Sequence, residues 1–264
     1  MADPFPAVAE SAAVGETAKL FADIRATIGV RVVNLVWRHL ATIDGALPWA
    51  WLAVKPLYVQ GIADQAVIHF RKSMELPELG SLAGEQPQSV DDVLASYDHS
   101  NTINLFALGP LACWLRDNGA PVGQPEGGPR LPAPDVTLPK LASEEDVSPE
   151  TWALVLRLNV LGDPRPTILA SMYRHLAHAP AFLQKVEAVL KPSDADGSLE
   201  RIIMGNQVMA YERSLFLARA IAAPMPERAA EIERSVSAFV GGAIGKMVTI
   251  CRAIRQARGL TDGV

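Results

Sequence analysis

The sequence is short of the residues that usually announce a chemistry. Its 264 residues include two cysteines, Cys113 and Cys251, far apart and without CxxC or metal-type spacing. That excludes a disulfide framework and a vicinal-thiol redox centre and fits a reducing compartment. There is no GxSxG, no HExxH, no phosphate-binding glycine loop and no Cys/His set at ligand spacing, so nothing points to a metal or a cofactor. Basic residues are in deficit, 24 against 29 acidic ones for a net charge of −5. With no local Lys/Arg run, the basic stripe of a nucleic-acid binder is missing. Apolar stretches are broken by Pro48 and Lys55, or by Lys246 and Arg252, short of the roughly 20 residues that cross a bilayer. Met1-Ala2-Asp3-Pro4-Phe5-Pro6 has neither a basic n-region nor an apolar h-region, so the expectation is no signal peptide, no membrane and a cytoplasmic location.

What is present is an internal repeat. Arg38-His39-Leu40-Ala41 returns as Arg174-His175-Leu176-Ala177, Leu47 as Leu183, and Lys55-Pro56 as Lys191-Pro192, seven identities over nineteen positions at an offset of 136. Roughly one or two would arise by chance at ordinary composition, which favours duplication. Upstream, after a two-residue shift, Glu16-Thr17 and Leu20 answer Glu150-Thr151 and Leu154. Val32, Val33, Val36, Trp37, Leu40 and Ile43 fall at helical spacing, and at the repeat offset stand Ile168, Leu169, Met172, Tyr173, Leu176 and Ala179. β-branched alternation is nearly absent, so the expected fold is all-α. Two helical pseudo-repeats, 12–120 and 149–260, form one compact unit. The proline-dense residues 121–148 join them as an extended linker. Lys55 and Lys191 are expected to end their helices just before Pro56 and Pro192, and residues 1–12 and 259–264 to fray. A site belongs where the copies face each other.

Tyr97-Asp98-His99-Ser100-Asn101-Thr102-Ile103-Asn104 places polar residues inside an otherwise apolar helix, with Asn101 and Asn104 on one face. Two readings stand: an interhelical hydrogen-bond network, or a pocket wall that orients a small polar ligand. Arg38 and Arg174 are candidates to converge from the two copies on an anion, with interhelical ion pairs as the other reading. His39 and His175 read as packed or surface histidines, and His178 as a helix-closing residue. Gly241-Gly242-Ala243-Ile244-Gly245 lies in an apolar helical run without a preceding strand, which predicts close helix packing.

These segments together resemble the group I 2-haloacid dehalogenases. The likeness rests on Asp23-Ile24-Arg25, Leu40-Ala41-Thr42, Leu47-Pro48 and Ala50-Trp51 in the first half. In the second it rests on Ala170-Ser171, Leu176-Ala177, Pro180 and Leu190-Lys191-Pro192. The resemblance implies two helical pseudo-repeats with the site between them. It also implies a cofactor-independent hydrolase in which an aspartate activates water to displace halide from a 2-haloalkanoic acid. Asn101 matches the family's asparagine, and Ala170-Ser171 the first two residues of its Ala-Ser-Asp. The third position is Met172, a thioether that cannot deprotonate water. Val32 and Leu35 stand at the family's tryptophan and phenylalanine, and Asn104 at its tyrosine; with Asn34 they complete the expected pocket wall. Asp98 is the candidate relocated base, and Asp163, before Pro164, reads rather as a helix cap. A looser resemblance, through Ser100-Asn101-Thr102-Ile103-Asn104, is to the alkylhydroperoxidase D-like helical fold, whose CxxC pair is absent. The alternative to a hydrolase is a diverged protein that binds or converts another small organic acid or apolar ligand. A homodimer formed through the apolar stripes is a third possibility.

Overall fold

The structure is a computed structural model that describes residues 6–117, 119 and 125–260. Among these residues it is all helix and connection, with no β-strand. The first half contains α1 (Gly15–Ile28), α2 (Leu35–Leu40), α3 (Ala46–Val59), α4 (Ile62–Ser73) and the long α5 (Gln88–Arg116). The second contains α6 (Pro149–Val160), α7 (Ser171–Leu176), α8 (Pro180–Ala195), α9 (Ser198–Leu217), α10 (Ala229–Ala238) and α11 (Gly245–Ala257). A π-helical turn, Phe239–Ile244, joins α10 to α11. The bounds of α2 and α7 keep the repeat offset at both ends, as do the starts of α4 and α9.

Neither apolar core is confined to one half. One is built from α1 to α4 and residues 103–115 of α5, closed by Ile232, Val236, Phe239 and Val248 from the end of the chain. The other is built from α6 to α8 and Leu199 and Ile203 of α9, closed by Val90, Val93, Leu94 and Tyr97 of α5 and by Met247, Ile250, Cys251 and Ile254 of α11. Each half's last helical segment thus passes from one core into the other. The run Ala229–Ala257 is long and apolar enough to cross a membrane, contrary to the expectation from the broken apolar stretches. Most of that window is buried within the protein, so its apolar content is consumed by this crossing.

The polar segment of α5 lies where the helix changes cores, which is why it can be polar and buried. Asn104, fully buried, is the hub. Its Oδ1 accepts from Trp37 Nε1 at 2.9 Å and Tyr58 hydroxyl at 2.8 Å. Its Nδ2 donates to Ser100 O at 2.7 Å and Asn34 Oδ1 at 3.2 Å. Asn34 in turn donates to Ser100 Oγ at 3.2 Å. For Asn104 the network reading holds.

Several local expectations are corrected. Pro56 and Pro192 do not stop their helices; both lie inside α3 and α8. The carbonyls each proline leaves without a partner belong to Leu52 and Ala188, four residues earlier and both outside the fully buried set, so water can satisfy them. Lys55 spends its charge on Asp23 at 2.7 Å rather than on the helix end. Residues 6–12 are not frayed: Val8 N donates to Arg38 O at 3.0 Å, and Val33 N donates to Glu10 Oε1 at 2.8 Å. Gly259 and Leu260 are likewise held, donating to Gln256 O and Arg255 O at 2.9 Å, while residues 1–5 and 261–264 lie outside the described residues. The linker, described from residue 125, is pinned rather than loose. Gly128 N donates to Gln60 O at 3.0 Å and Leu131 N to Asp64 Oδ1 at 2.7 Å. Gly61 is required there twice over, by its positive φ of 69° and by the Gly128 carbonyl, which would sit 2.0 Å from a Cβ.

Asn104→Ala should lower stability by about 2–4 kcal/mol, since it leaves two buried donors, Trp37 Nε1 and Tyr58 hydroxyl, without their acceptor. Urea denaturation against the wild type measures it.

Candidate functional site

A cavity of about 50 Å³ opens where the two halves meet. Its wall takes Asn34, Leu35 and Val36 from the start of α2, Tyr97 and Asn101 from α5, and Ile168 to Met172 from the approach to α7. Phe239, Ala243, Ile244 and Met247 come from the π turn and α11. Five of these positions are consecutive because residues 161–170 run as an irregular connection held from behind. Asn159 Nδ2 donates to Ile168 O at 3.1 Å and its Oδ1 accepts from Ala170 N at 2.9 Å. The buried Lys246 clamps the same residue, donating from Nζ to Asn159 O at 2.6 Å. Burial pushes that ammonium down to about 8.

The lining contains no carboxylate, no cation and no thiol; its polar groups are Asn34, Tyr97, Asn101 and Ser171. Asn101 is the distinctive one. Only 7% exposed, it makes no hydrogen bond among the described residues and faces the cavity. An amide so placed is short of partners that a ligand or water can supply. Tyr97 hydroxyl is hydrogen-bonded to His175 Nδ1 at 2.8 Å. Burial raises the phenol well above its ordinary range, opposed by a hydrogen bond from Ser171 and by the charges of Arg174 and Arg38. Burial lowers His175 to about 4, so at neutral pH both groups are uncharged.

Of the residues expected at the site, the structure brings Asn34, Leu35, Asn101, Ala170, Ser171 and Met172 to one cavity. Met172 is completely buried. Val32 is not part of the wall, because α2 begins only at Leu35 and Val32 falls in the irregular stretch before it. Asn104 stands behind the wall in the network described above. Asp98 is not a base for this cavity. It pairs with neither Arg38 nor Lys55, and its carboxylate meets Arg71 at 2.8 Å, Arg252 at 3.0 Å and Arg255 at 3.5 Å. Asp163 does not cap a helix; its Oδ1 accepts from Arg165 N at 3.1 Å within the connection.

Arg38 and Arg174 do not clamp a ligand directly. Arg38 Nε donates to Val8 O at 2.9 Å and Arg174 Nε to Ala142 O at 2.8 Å, tying down the segments that lead into α1 and α6. His178 is hydrogen-bonded to Lys140 O at 2.8 Å and so binds the linker instead of closing a helix. His39 and His175 are packed. The glycine run is not uniformly a close contact: a Cβ on Gly245 would meet Val240 O at 2.5 Å, while Gly241 and Gly242 face open space. The residues that sequence reasoning missed, Tyr97 apart, come from 239–247 and from the Asn159–Lys246 anchor. The signal available was a lysine within an apolar run, and a polar residue on the buried face of α6.

His175 sets an acid limit. Between its ordinary value of 6.5 and about 4 the unfolded chain takes up a proton that the folded protein refuses, so stability falls as pH drops through that window. The loss amounts to roughly 2–3 kcal/mol. Urea midpoints measured from pH 7 to pH 4 should show this slope in the wild type and its absence in His175→Asn, the difference cancelling the other titrations.

No protein-family model and no curated protein matches the sequence. Solved structures do match in fold. One, a "D-2-halacid dehalogenase mutant", gives a TM-score of 0.75 at 17% identity over 97% of both chains. A D-2-haloacid dehalogenase mutant in complex with D-2-CPA gives 0.73 at 18% identity, again over 97% of each. A D-2-haloacid dehalogenase in complex with L-LA gives 0.74 at 17% identity over the same share. Over 97% of its length the chain has the fold of the D-2-haloacid dehalogenase structures.

Proposed function

We propose that the cavity binds a small organic acid, and that this dehalogenase-like protein does not hydrolyse carbon–halogen bonds through a carboxylate-activated water. The observation that carries the reading is the unpaired, nine-tenths-buried Asn101 amide, in a cavity whose wall has Met172 and no acid. Water attack on a halogen-bearing carbon needs a base within hydrogen-bond reach of that water. The polar groups at hand are two amides, a hydroxyl and a phenol, all neutral at pH 7. They can orient a ligand oxygen but not accept a proton.

Charge favours a carboxylate as that ligand. Arg38 and Arg174, one from each half, both act on the Tyr97 hydroxyl, and the lining adds no negative charge to offset them. The remaining wall is apolar, from Leu35 and Ile168 through Met172 to Phe239 and Met247. Its volume suits an acid of a few carbon atoms.

Propionate, lactate and 2-chloropropionate should each raise the melting temperature by mass action, and Asn101→Ala should weaken that binding about tenfold or more. Incubation with 2-chloropropionate or bromoacetate should release halide no faster than buffer does. Steady halide release by the wild type overturns the non-hydrolytic part, and no thermal response to any acid overturns the binding part. In Met172→Asp the carboxylate enters the wall beside Ser171 and Asn101. That variant should lose about 2–4 kcal/mol of stability, from a buried charge replacing an apolar side chain, and should gain measurable halide release.

A further inference from the structure

A second cavity, about 130 Å³ and larger than the first, lies on the other side of the π turn, between α5, α9 and α10. Its apolar surface comes from Leu105, Ala112 and Cys113 of α5, Ala210 of α9, and Val240 and Gly241 of the π turn. The two cavities share that turn as a partition: Phe239, Ala243 and Ile244 face the first and Val240 and Gly241 the second. Gly241 borders the second one at an exposed position, where a Cβ would meet nothing within 4 Å and a larger side chain has room.

The chemistry of its wall is the reverse of the first. Four polar side chains that border it, Ser214, Gln207, Ser237 and Arg116, already have partners. Ser214 Oγ donates to Ala210 O at 2.8 Å, and Gln207 Nε2 to Gly241 O at 3.0 Å. Ser237 Oγ donates to Glu233 Oε1 at 2.8 Å, and Arg116 Nη2 donates to the same carboxylate at 2.9 Å. Burial lifts the Cys113 thiol to about 11, so it stays protonated and acts as one more apolar surface. An occupant therefore finds no unmet donor or acceptor and no uncompensated charge. A cavity whose floor is apolar and whose polar border is already bonded offers water little and suits a small apolar molecule.

We propose that this second cavity is a separate binding site for a small uncharged apolar molecule, of the size and kind of a single aromatic ring. The half-exposed Tyr211 ring stands at its edge, and an entering molecule passes it. The site does not depend on what occupies the first cavity.

The probe is benzene, titrated into the full chain to near saturation while the thermal midpoint is followed. Wild type should gain about 2–4 °C. Ala112→Leu and Gly241→Leu, which fill the cavity from opposite walls, should lose that response, and Ala243→Leu, which fills the first cavity, should keep it. Because the two filling variants stand on different helices, failure of one to fold leaves the other to decide. No benzene response in the wild type overturns the proposal. So does a response that survives filling of the second cavity, or that disappears on filling of the first.

Discussion

A single buried carboxylate ties the two ends of the chain together. Asp98, 2% exposed in the middle of α5, holds Arg71 from α4 and Arg252 and Arg255 from α11. Removing charges from water costs several kcal/mol per ion, and one carboxylate cannot repay three guanidinium groups by Coulomb attraction alone. What the arrangement supplies is position. Arg71 approaches from the first half and the other two from the final helix, so Asp98 Oδ2 gathers all three only when α4, α5 and α11 meet in one register. Turning α11 by half a turn about its own axis would carry both of its arginines away and leave Asp98 buried against Arg71 alone.

That register places everything else. With α11 fixed against α5, Met247 and Cys251 fall in the second core, and Phe239 and Val248 in the first. The π turn lies between them, and its wider helix shifts the face that the run presents from one core to the other. Both crossing helices change cores at nearly the same level. Side chains there cannot all interdigitate with either apolar core, and polar residues take the gap. Ser100 and Asn104 close one side of it by bonding to Asn34, Trp37 and Tyr58. Asn101, a single residue round the helix from Ser100, is left facing the opening. The candidate site is thus a consequence of how two helices cross, with one polar belt serving both as mortar and as wall.

Periodicity made the helical architecture legible because it reflects which side of a helix is buried, and the structure places Asn34-Leu35 and Ala170-Ser171-Met172 on one cavity. The stripe containing Met172 and Tyr173 reads from spacing alone. What could not be read was the partner of each charge. Arg38, His39 and Arg174 look like site residues by their recurrence, yet recurrence is equally served by a shared structural duty. Arg38 holds the Val8 carbonyl and Arg174 that of Ala142, and these two carbonyls are related by the same shifted offset as the starts of the two halves upstream. The wall contributed by 239–247 was invisible for another reason. It meets Tyr97 and Asn101 across about half the chain, and no local pattern encodes which turn of a distant helix comes to rest there. The prolines misled because a helix can run on through a proline when tertiary packing holds both sides of it, as α3, α8 and, at Pro110, α5 all do.

The separation of fold from chemistry follows from the same accounting. The helical framework is held by some dozens of buried apolar residues and by the Asp98 and Asn104 hubs, none of which has to accept a proton from a substrate. Reactivity at the first cavity would instead rest on one or two positions of its wall. A methionine at a fully buried position avoids the desolvation that a carboxylate would suffer there, so stability alone favours Met172 over an acid. The groups that remain, Asn101 above all, gain nothing for stability by staying unpaired. An amide kept polar where an apolar residue would pack better is explained by a partner that arrives from outside. That is the reason to look for binding in this cavity.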